Sequence, residues 1–167
     1  MALTPTNEPR MSYYDATNGS LRFAMRDGTT WSTHMVDDGA TTLEQGGEDV
    51  GKWTSIILTA DGRPGIVYAA LVEEGGAKHT QVRFAQAKIP NPKARTDWDL
   101  VLIDELPVTP LGPMEKPPAD FEDSVGSHMD VTMGPEGPVV AYYDRHDGDL
   151  RVASWDPTAQ RFKAPVV

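Results

Sequence analysis

Apolar and polar residues alternate at period two along many short runs of this chain. In Leu21-Arg22-Phe23-Ala24-Met25, and again in Val82-Arg83-Phe84-Ala85, arginine alternates with apolar neighbours. That pattern is the signature of a half-buried strand. No window of about 11 residues shows an apolar stripe at helical spacing bounded by caps, so essentially no α-helix is expected. The runs fall into sets of four. A first run spans about Ala2 to Thr4, Ser55 to Thr59 and Asp130 to Met133 in the three sets. A second spans Arg10 to Tyr14, Gly65 to Ala69 and Val139 to Tyr143, each entered from a proline at the strand start, where a missing N–H does least harm. A third spans Ser20 to Met25, Thr80 to Ala87 and Asp149 to Trp155. A fourth spans Trp31 to Val36, Trp98 to Ile103 and Phe162 to Val167, each opening on an aromatic.

These sets are copies of one unit. Pro138 to Arg151 reads PVVAYYDRHDGDLR and Pro9 to Arg22 reads PRMSYYDATNGSLR, with Pro, Tyr-Tyr-Asp, Gly and Leu-Arg at identical offsets. A looser copy begins at Pro64. Upstream, Asp49-Val-Gly-Lys-Trp-Thr and Ser124-Val-Gly-Ser-His-Met both lead into the first run. Asn18-Gly19 and Asp147-Gly148 read as tight turns between second and third strands, and Asp61-Gly62 and Glu136-Gly137 as turns between first and second. The expected units are about 1–38, 49–104 and 124–167, within one all-β domain covering 1–167. Unequal spacing is absorbed by an insertion at Leu71 to His79, a segment at Lys88 to Asp97, and the 105–123 stretch with its five prolines. That last stretch reads as a stiff surface excursion. Loops of such length inside a compact repeat are candidates for function.

Composition narrows the function. The 14 Pro and 15 Gly favour turns over long helices. A net charge of −10 argues against the nucleic-acid backbone and against anionic membrane surfaces. Absence of cysteine excludes disulfides, zinc-thiolate sites and thiol nucleophiles. No apolar run reaches the roughly 18 residues of a membrane span, and the first ten residues lack a signal-peptide pattern. Phosphate loops, G-x-S-x-G and paired-carboxylate motifs are absent.

The unit Val-Gly-x-x-x-Ser, apolar run, Asp-Gly-x-Pro, apolar-Tyr-Tyr-Asp, Asn/Asp-Gly-x-Leu-Arg-x-Ala, Gly-x-x-Trp resembles the repeats of bacterial sialidase-like (BNR-like) β-propellers over nearly the whole chain. The resemblance implies about three four-stranded antiparallel blades, an incomplete ring unless a second copy or further blades complete it. The Asp-box is degenerate: Gly28 and Trp31 fit, Arg26 stands in the Asp place, and Phe162 replaces Trp in the third unit. No sialidase catalytic residue matches, so none is carried over and an enzyme is less expected than a binding module. Such propellers occur on secreted and cell-surface proteins, and that setting is the expected one here.

In a propeller, Leu71 to His79 and 105–123 fall at the same end, where ligands usually gather around the channel mouth. The candidate ligand residues there are Trp53, His128, Lys78 and His79. Trp53 and His128 occupy one repeat position just before the first strand. Asp144, Asp147 and Asp149 share one turn; they read either as a calcium site or as carboxylates capping the turn's amides. No other cofactor is expected. Three functions remain open: a non-enzymatic module binding carbohydrate or a protein partner through the long-loop end, part of a glycosidase or lyase whose catalytic residues lie outside this chain, and an assembly subunit pairing through exposed sheet edges. The expected oligomer is a homo-oligomer or the remaining blades of a longer chain.

Overall fold

The computed structural model describes residues 1–39, 48–74, 77–107 and 125–167. Residues 108–123 of the proline-rich stretch, Ser124 at the start of the third unit, and Gly75-Gly76 in the second unit's insertion lie outside the described residues. Among the described residues twelve strands form three four-stranded antiparallel sheets, each a meander in chain order. The first sheet comprises β1 (Ala2–Leu3), β2 (Pro9–Asp15), β3 (Ser20–Asp27) and β4 (Thr30–Asp37). The second comprises β5 (Asp49–Leu58), β6 (Pro64–Glu74), β7 (Ala77–Ala87) and β8 (Trp98–Pro107). The third comprises β9 (Val125–Met133), β10 (Pro138–Asp144), β11 (Asp149–Asp156) and β12 (Arg161–Phe162). The described helical structure is a 3-10 turn at Arg95–Asp97, and no described helix is long and apolar enough to cross a membrane.

The all-β reading holds, with strand boundaries corrected in three places. β5 and β9 begin well before the expected first runs, because the bridges Gly51 to Thr54 and Gly126 to Met129 stay within the strands as bulges. Register slips mark them, between Val50 and Lys52 and between Lys52 and Ser55 against β6, and between Ala141 and Tyr143 against β9. Gly51 and Gly126 explain why the Val-Gly pair recurs. Their φ angles are 108° and 91°. A Cβ on Gly51 would stand 2.9 Å from Leu21 Cα, and one on Gly126 would stand 2.7 Å from Val82 Cγ2. Each glycine thus lets a first strand press against the preceding sheet. Secondly, the insertion at Leu71 to His79 lengthens a hairpin: β6 and β7 stay in register out to Glu74 opposite Ala77. Thirdly, the fourth strand of the last sheet is reduced to Arg161–Phe162 plus a single bridge between Val152 and Val166.

Two apolar layers hold the sheets together. Between first and second lie Leu21, Phe23 and Val36 against Ile66, Tyr68 and Trp98. Between second and third lie Val67, Val82 and Phe84 against Val140, Tyr142 and Phe162. The fourth-strand aromatics pack edge to face, Phe23 on Trp98 at 5.5 Å and Phe84 on Phe162 at 5.4 Å. Trp31, the aromatic at the same repeat position in the first sheet, is 48% exposed.

Each layer also carries a polar clasp. At the first junction Tyr68 Oη donates to Asp37 Oδ2 at 2.7 Å, and Arg83 Nη1 donates to the same oxygen at 3.3 Å and to Glu48 Oε2 at 3.0 Å. Arg83 Nε donates to Gln81 Oε1 at 2.7 Å, and the Gly39 amide donates to Asp37 Oδ1 at 3.0 Å. Tyr68, Asp37, Glu48 and Arg83 are all buried. At the second junction Tyr142 Oη and Arg151 Nη1 donate to Asp104 Oδ2 at 2.7 and 3.0 Å. Asp37 and Asp104 each stand six residues after a fourth-strand tryptophan, Trp31 and Trp98. The Tyr and Arg face each other across the second and third strands, Tyr68 opposite Arg83 and Tyr142 opposite Arg151. Burial, with Asp37 beside it, lifts the Tyr68 hydroxyl well above the usual phenol range, and burial with the bond to Asp104 lifts Tyr142 likewise. Burial, seconded by the bond to Asp49, pushes Tyr14 up to about 12.

Arg83 is buried between two carboxylates, and Asp37→Asn leaves it Glu48 alone while weakening the acceptor of the Tyr68 hydroxyl. That substitution is expected to cost about 1–3 kcal/mol in urea unfolding. Asp104→Asn is expected to cost less, since Arg151 retains contact with solvent. A second expectation concerns alkali. Tyrosines whose folded pKa is raised add stability that is present below the unfolded value of about 10 and lost as pH rises through the folded values. The melting temperature should fall above about pH 10, with phenolate absorbance lagging behind that of the unfolded chain. A melting temperature flat across that range would contradict it.

Candidate functional site

The structure brings two of the four expected ligand residues together. Trp53 on β5 and His128 on β9 lie at the same place in their bulges, with ring centroids 6.4 Å apart. Both adopt left-handed backbone, φ 50° and 51°. Such φ values in side-chain-bearing residues cost about 1–3 kcal/mol and persist where surrounding structure imposes them. Trp53 is half-buried against the second apolar layer, and His128 is exposed. Next to them the first strands meet directly, Ser55 Oγ donating to Asp130 Oδ1 at 2.8 Å.

Lys78 and His79 sit elsewhere. Both belong to β7, two strands out from β5 in the same sheet, so about 10 Å of sheet separates that strand from the bulges. His79 Nδ1 faces Glu105 Oε1 at 3.8 Å, and Gln81 Nε2 donates to the same carboxylate oxygen at 2.8 Å. The sequence placed these residues at one end of the molecule; the sheet keeps them on different strands.

The aspartate turn resolves into a capped turn with an ion pair. The amides of His146 and Asp147 donate to Asp144 Oδ1 at 2.9 and 3.3 Å. Arg151 Nη2 lies 2.5 Å from Asp144 Oδ2 and 3.1 Å from Asp147 Oδ2. Asp144 is thus committed to Arg151 and to the turn amides. Among the described residues no three carboxylate or imidazole groups gather where one cation could sit.

A different site emerges at the turns joining first and second strands, a cleft of about 710 Å³ between the second and third sheets. Its apolar lining includes Phe84, Val101, Met133 and Trp155. Polar groups at the cleft are Asp61, Arg63, Gln86, Asp99, Glu136 and Gln160. Trp155 is held edge-on by Phe162, centroids 5.3 Å apart. Arg63 Nε donates to Asp61 Oδ2 at 2.6 Å, and the Thr59 hydroxyl donates to Asp61 Oδ1 at 2.5 Å. The Thr59 bond, with Arg63 beside it, holds the Asp61 carboxyl below the usual range. Lys163 reaches Glu136 at 3.0 Å and Lys88 reaches Asp99 at 3.1 Å. Gln160 carries a left-handed φ of 52° at the tip of the last hairpin.

This cleft was missed by sequence reasoning, which followed what recurs. Its distinctive members are departures from the repeat. Trp155 takes the position of buried Ala87 in the second sheet and of Arg26 in the first. Arg63 is inserted between Gly62 and Pro64, where the third unit runs Gly137-Pro138 directly. A search for residues breaking the repeat would have found both.

The fold and cleft define an all-β protein of three antiparallel meanders with a mixed aromatic and ionic pocket between two of them. No protein-family model matches the chain, and no curated protein matches it. Among solved structures it is similar to a fucose lectin from Kordia zhangzhouensis in complex with methyl-fucoside. Identity is 13%, the TM-score is 0.47, and 96% of this chain and 92% of that chain are covered. At that identity and score the likeness carries no argument about the site.

The exposed His128 bulge allows a direct test of strain. His128→Gly relieves a left-handed φ without removing a buried side chain, so a gain of up to about 1 kcal/mol in urea unfolding is expected. A loss of that size would mean that the imidazole contact with Trp53 outweighs the backbone cost.

Proposed function

We propose that this chain is a non-enzymatic β-propeller module that binds carbohydrate in the cleft between its second and third sheets. The observation that carries the reading is the pairing, in one concave space, of a fixed indole with planar charged and amide groups. A pyranose has apolar C–H faces and an equatorial belt of hydroxyls. Trp155, with Phe84 and Met133, offers the apolar surface. Arg63, Asp61 and Gln86 offer donors and acceptors at the lip. Asp61, whose carboxyl the Thr59 bond holds below the usual range, accepts hydrogen bonds from a hydroxyl.

The propeller part rests on the repeat's resemblance to sialidase-like blades and on the contact of first strands β5 and β9 through Ser55 and Asp130. In this reading the module works outside a bacterial cell, where glycans are displayed. A second reading keeps the ligand at the Trp53 and His128 bulges, supported by their shared left-handed backbone and ring contact.

Isothermal titration with a panel of neutral and acidic monosaccharide glycosides separates the two. Trp155→Ala and Arg63→Ala should each weaken the best ligand at least tenfold, about 1.4 kcal/mol, with circular dichroism unchanged. Arg63 sits at the rim, so its substitution leaves the packing of Phe162 and Trp155 intact. If only Trp53→Ala weakens binding, the bulge site is the functional one. If no glycoside binds, the carbohydrate reading is wrong.

A further inference from the structure

The two internal junctions of this chain are one interface used twice. At each, the front of a later sheet packs on the back of the earlier one. The front contributes the second-strand apolar residue and tyrosine, Ile66 and Tyr68 or Val140 and Tyr142, and the fourth-strand aromatic, Trp98 or Phe162. The back contributes the third-strand Leu21 or Val82 and the fourth-strand Val36 or Ile103. All of these side chains are buried.

The outermost sheets carry the same rows, and among the described residues these rows are more exposed. On the front of the first sheet the equivalent residues are Met11, Tyr13 and Trp31. Trp31 is 48% exposed, against 5% for Trp98 and 7% for Phe162. Tyr13 stands opposite Arg22 across β2 and β3, the pair that in the other sheets grips an aspartate of the preceding sheet. On the back of the third sheet the equivalent residues are Leu150 and Val167. Leu150 is 62% exposed, against 0% for Leu21 and Val82. Met11, Tyr13 and Trp31 on one face and Leu150 and Val167 on the other are exposed large apolar side chains, and such clusters mark protein contacts.

We infer that the front of the first sheet docks on the back of the third sheet of a second copy of this chain. The argument for that occupant is continuity: one face is the front and the other the back of a junction this chain already forms twice. The contact is heterologous, head to tail. Two copies related by a two-fold axis make it twice and leave no end open. The contact is made by the apolar rows of the two faces. It is therefore expected to be reversible and to depend little on salt. This inference stands apart from the carbohydrate reading, since neither face includes the cleft.

Light scattering on the purified chain tests it. At about 100 µM, well above a micromolar dissociation constant, the molar mass should approach twice 18.2 kDa and fall on dilution. Met11→Lys on the front and Leu150→Lys on the back are both surface changes that leave the internal layers untouched. Each variant alone should be a monomer, because every junction then holds one charged face. An equimolar mixture should recover dimer, since one junction of the mixed pair is unaltered. A wild-type chain that stays monomeric at that concentration overturns the inference. So does a dimer that survives Leu150→Lys, which would place the contact front to front.

Discussion

A buried guanidinium is the constraint on which this structure turns. Arg83 is desolvated between the first and second sheets, and such a charge is tolerated only when carboxylates and acceptors meet it closely. Asp37, Glu48 and Gln81 do so from two sheets. Burial pulls the guanidinium toward deprotonation, yet Tyr68, Glu48 and Asp37 hold it above its ordinary value. The apolar layer around the clasp is non-directional and could slide. The clasp has one geometry, so it sets how the second sheet sits on the first. The same arrangement at Tyr142, Asp104 and Arg151 sets the third sheet on the second.

The clasps also explain the bulges. For a first strand to lie close to the preceding sheet, its backbone must pass over Leu21 or Val82 with no side chain between, which Gly51 and Gly126 permit. The chain then returns to strand geometry two residues later. It does so by turning Trp53 and His128 into left-handed backbone. Strain at these two residues follows from close packing upstream, and it sets their rings side by side. A structural demand thereby creates a repeated point of display near the strands' meeting line.

The cleft opens where the repeat is broken. The first junction fills the place equivalent to the cleft with Ala87, Phe23 and Trp98, all buried. At the second junction Trp155 replaces the alanine, Arg63 lengthens the turn, and the packing opens into a space of about 710 Å³. Repeated positions keep the sheets together and so tolerate little change. Positions released from that duty can take a ligand's chemistry.

Strand content, turn positions and the three-unit order were legible in the chain itself. Period-two alternation and glycine or proline punctuation are local properties, fixed by the pleat and by φ. The tyrosine of the clasp was legible as a recurring residue, and its aspartate could have been read from the six-residue offset after Trp31 and Trp98. The role of the clasp was not legible, because Tyr68 and Asp37, 31 residues apart in the chain, bond only once two sheets pack. The same holds for the candidate site. Trp53 and His128 could be matched as one repeat position, but their ring contact depends on how β5 meets β9. Lys78 and His79 looked like neighbours of that pair because loop order ranks residues by end of the sheet, not by strand. Trp155 and Arg63 looked ordinary because a cleft is a property of two sheets at once. Sequence by itself determined which residues are strands and which face each would show; tertiary packing alone decided which faces are covered, since burial and pocket shape depend on the neighbour.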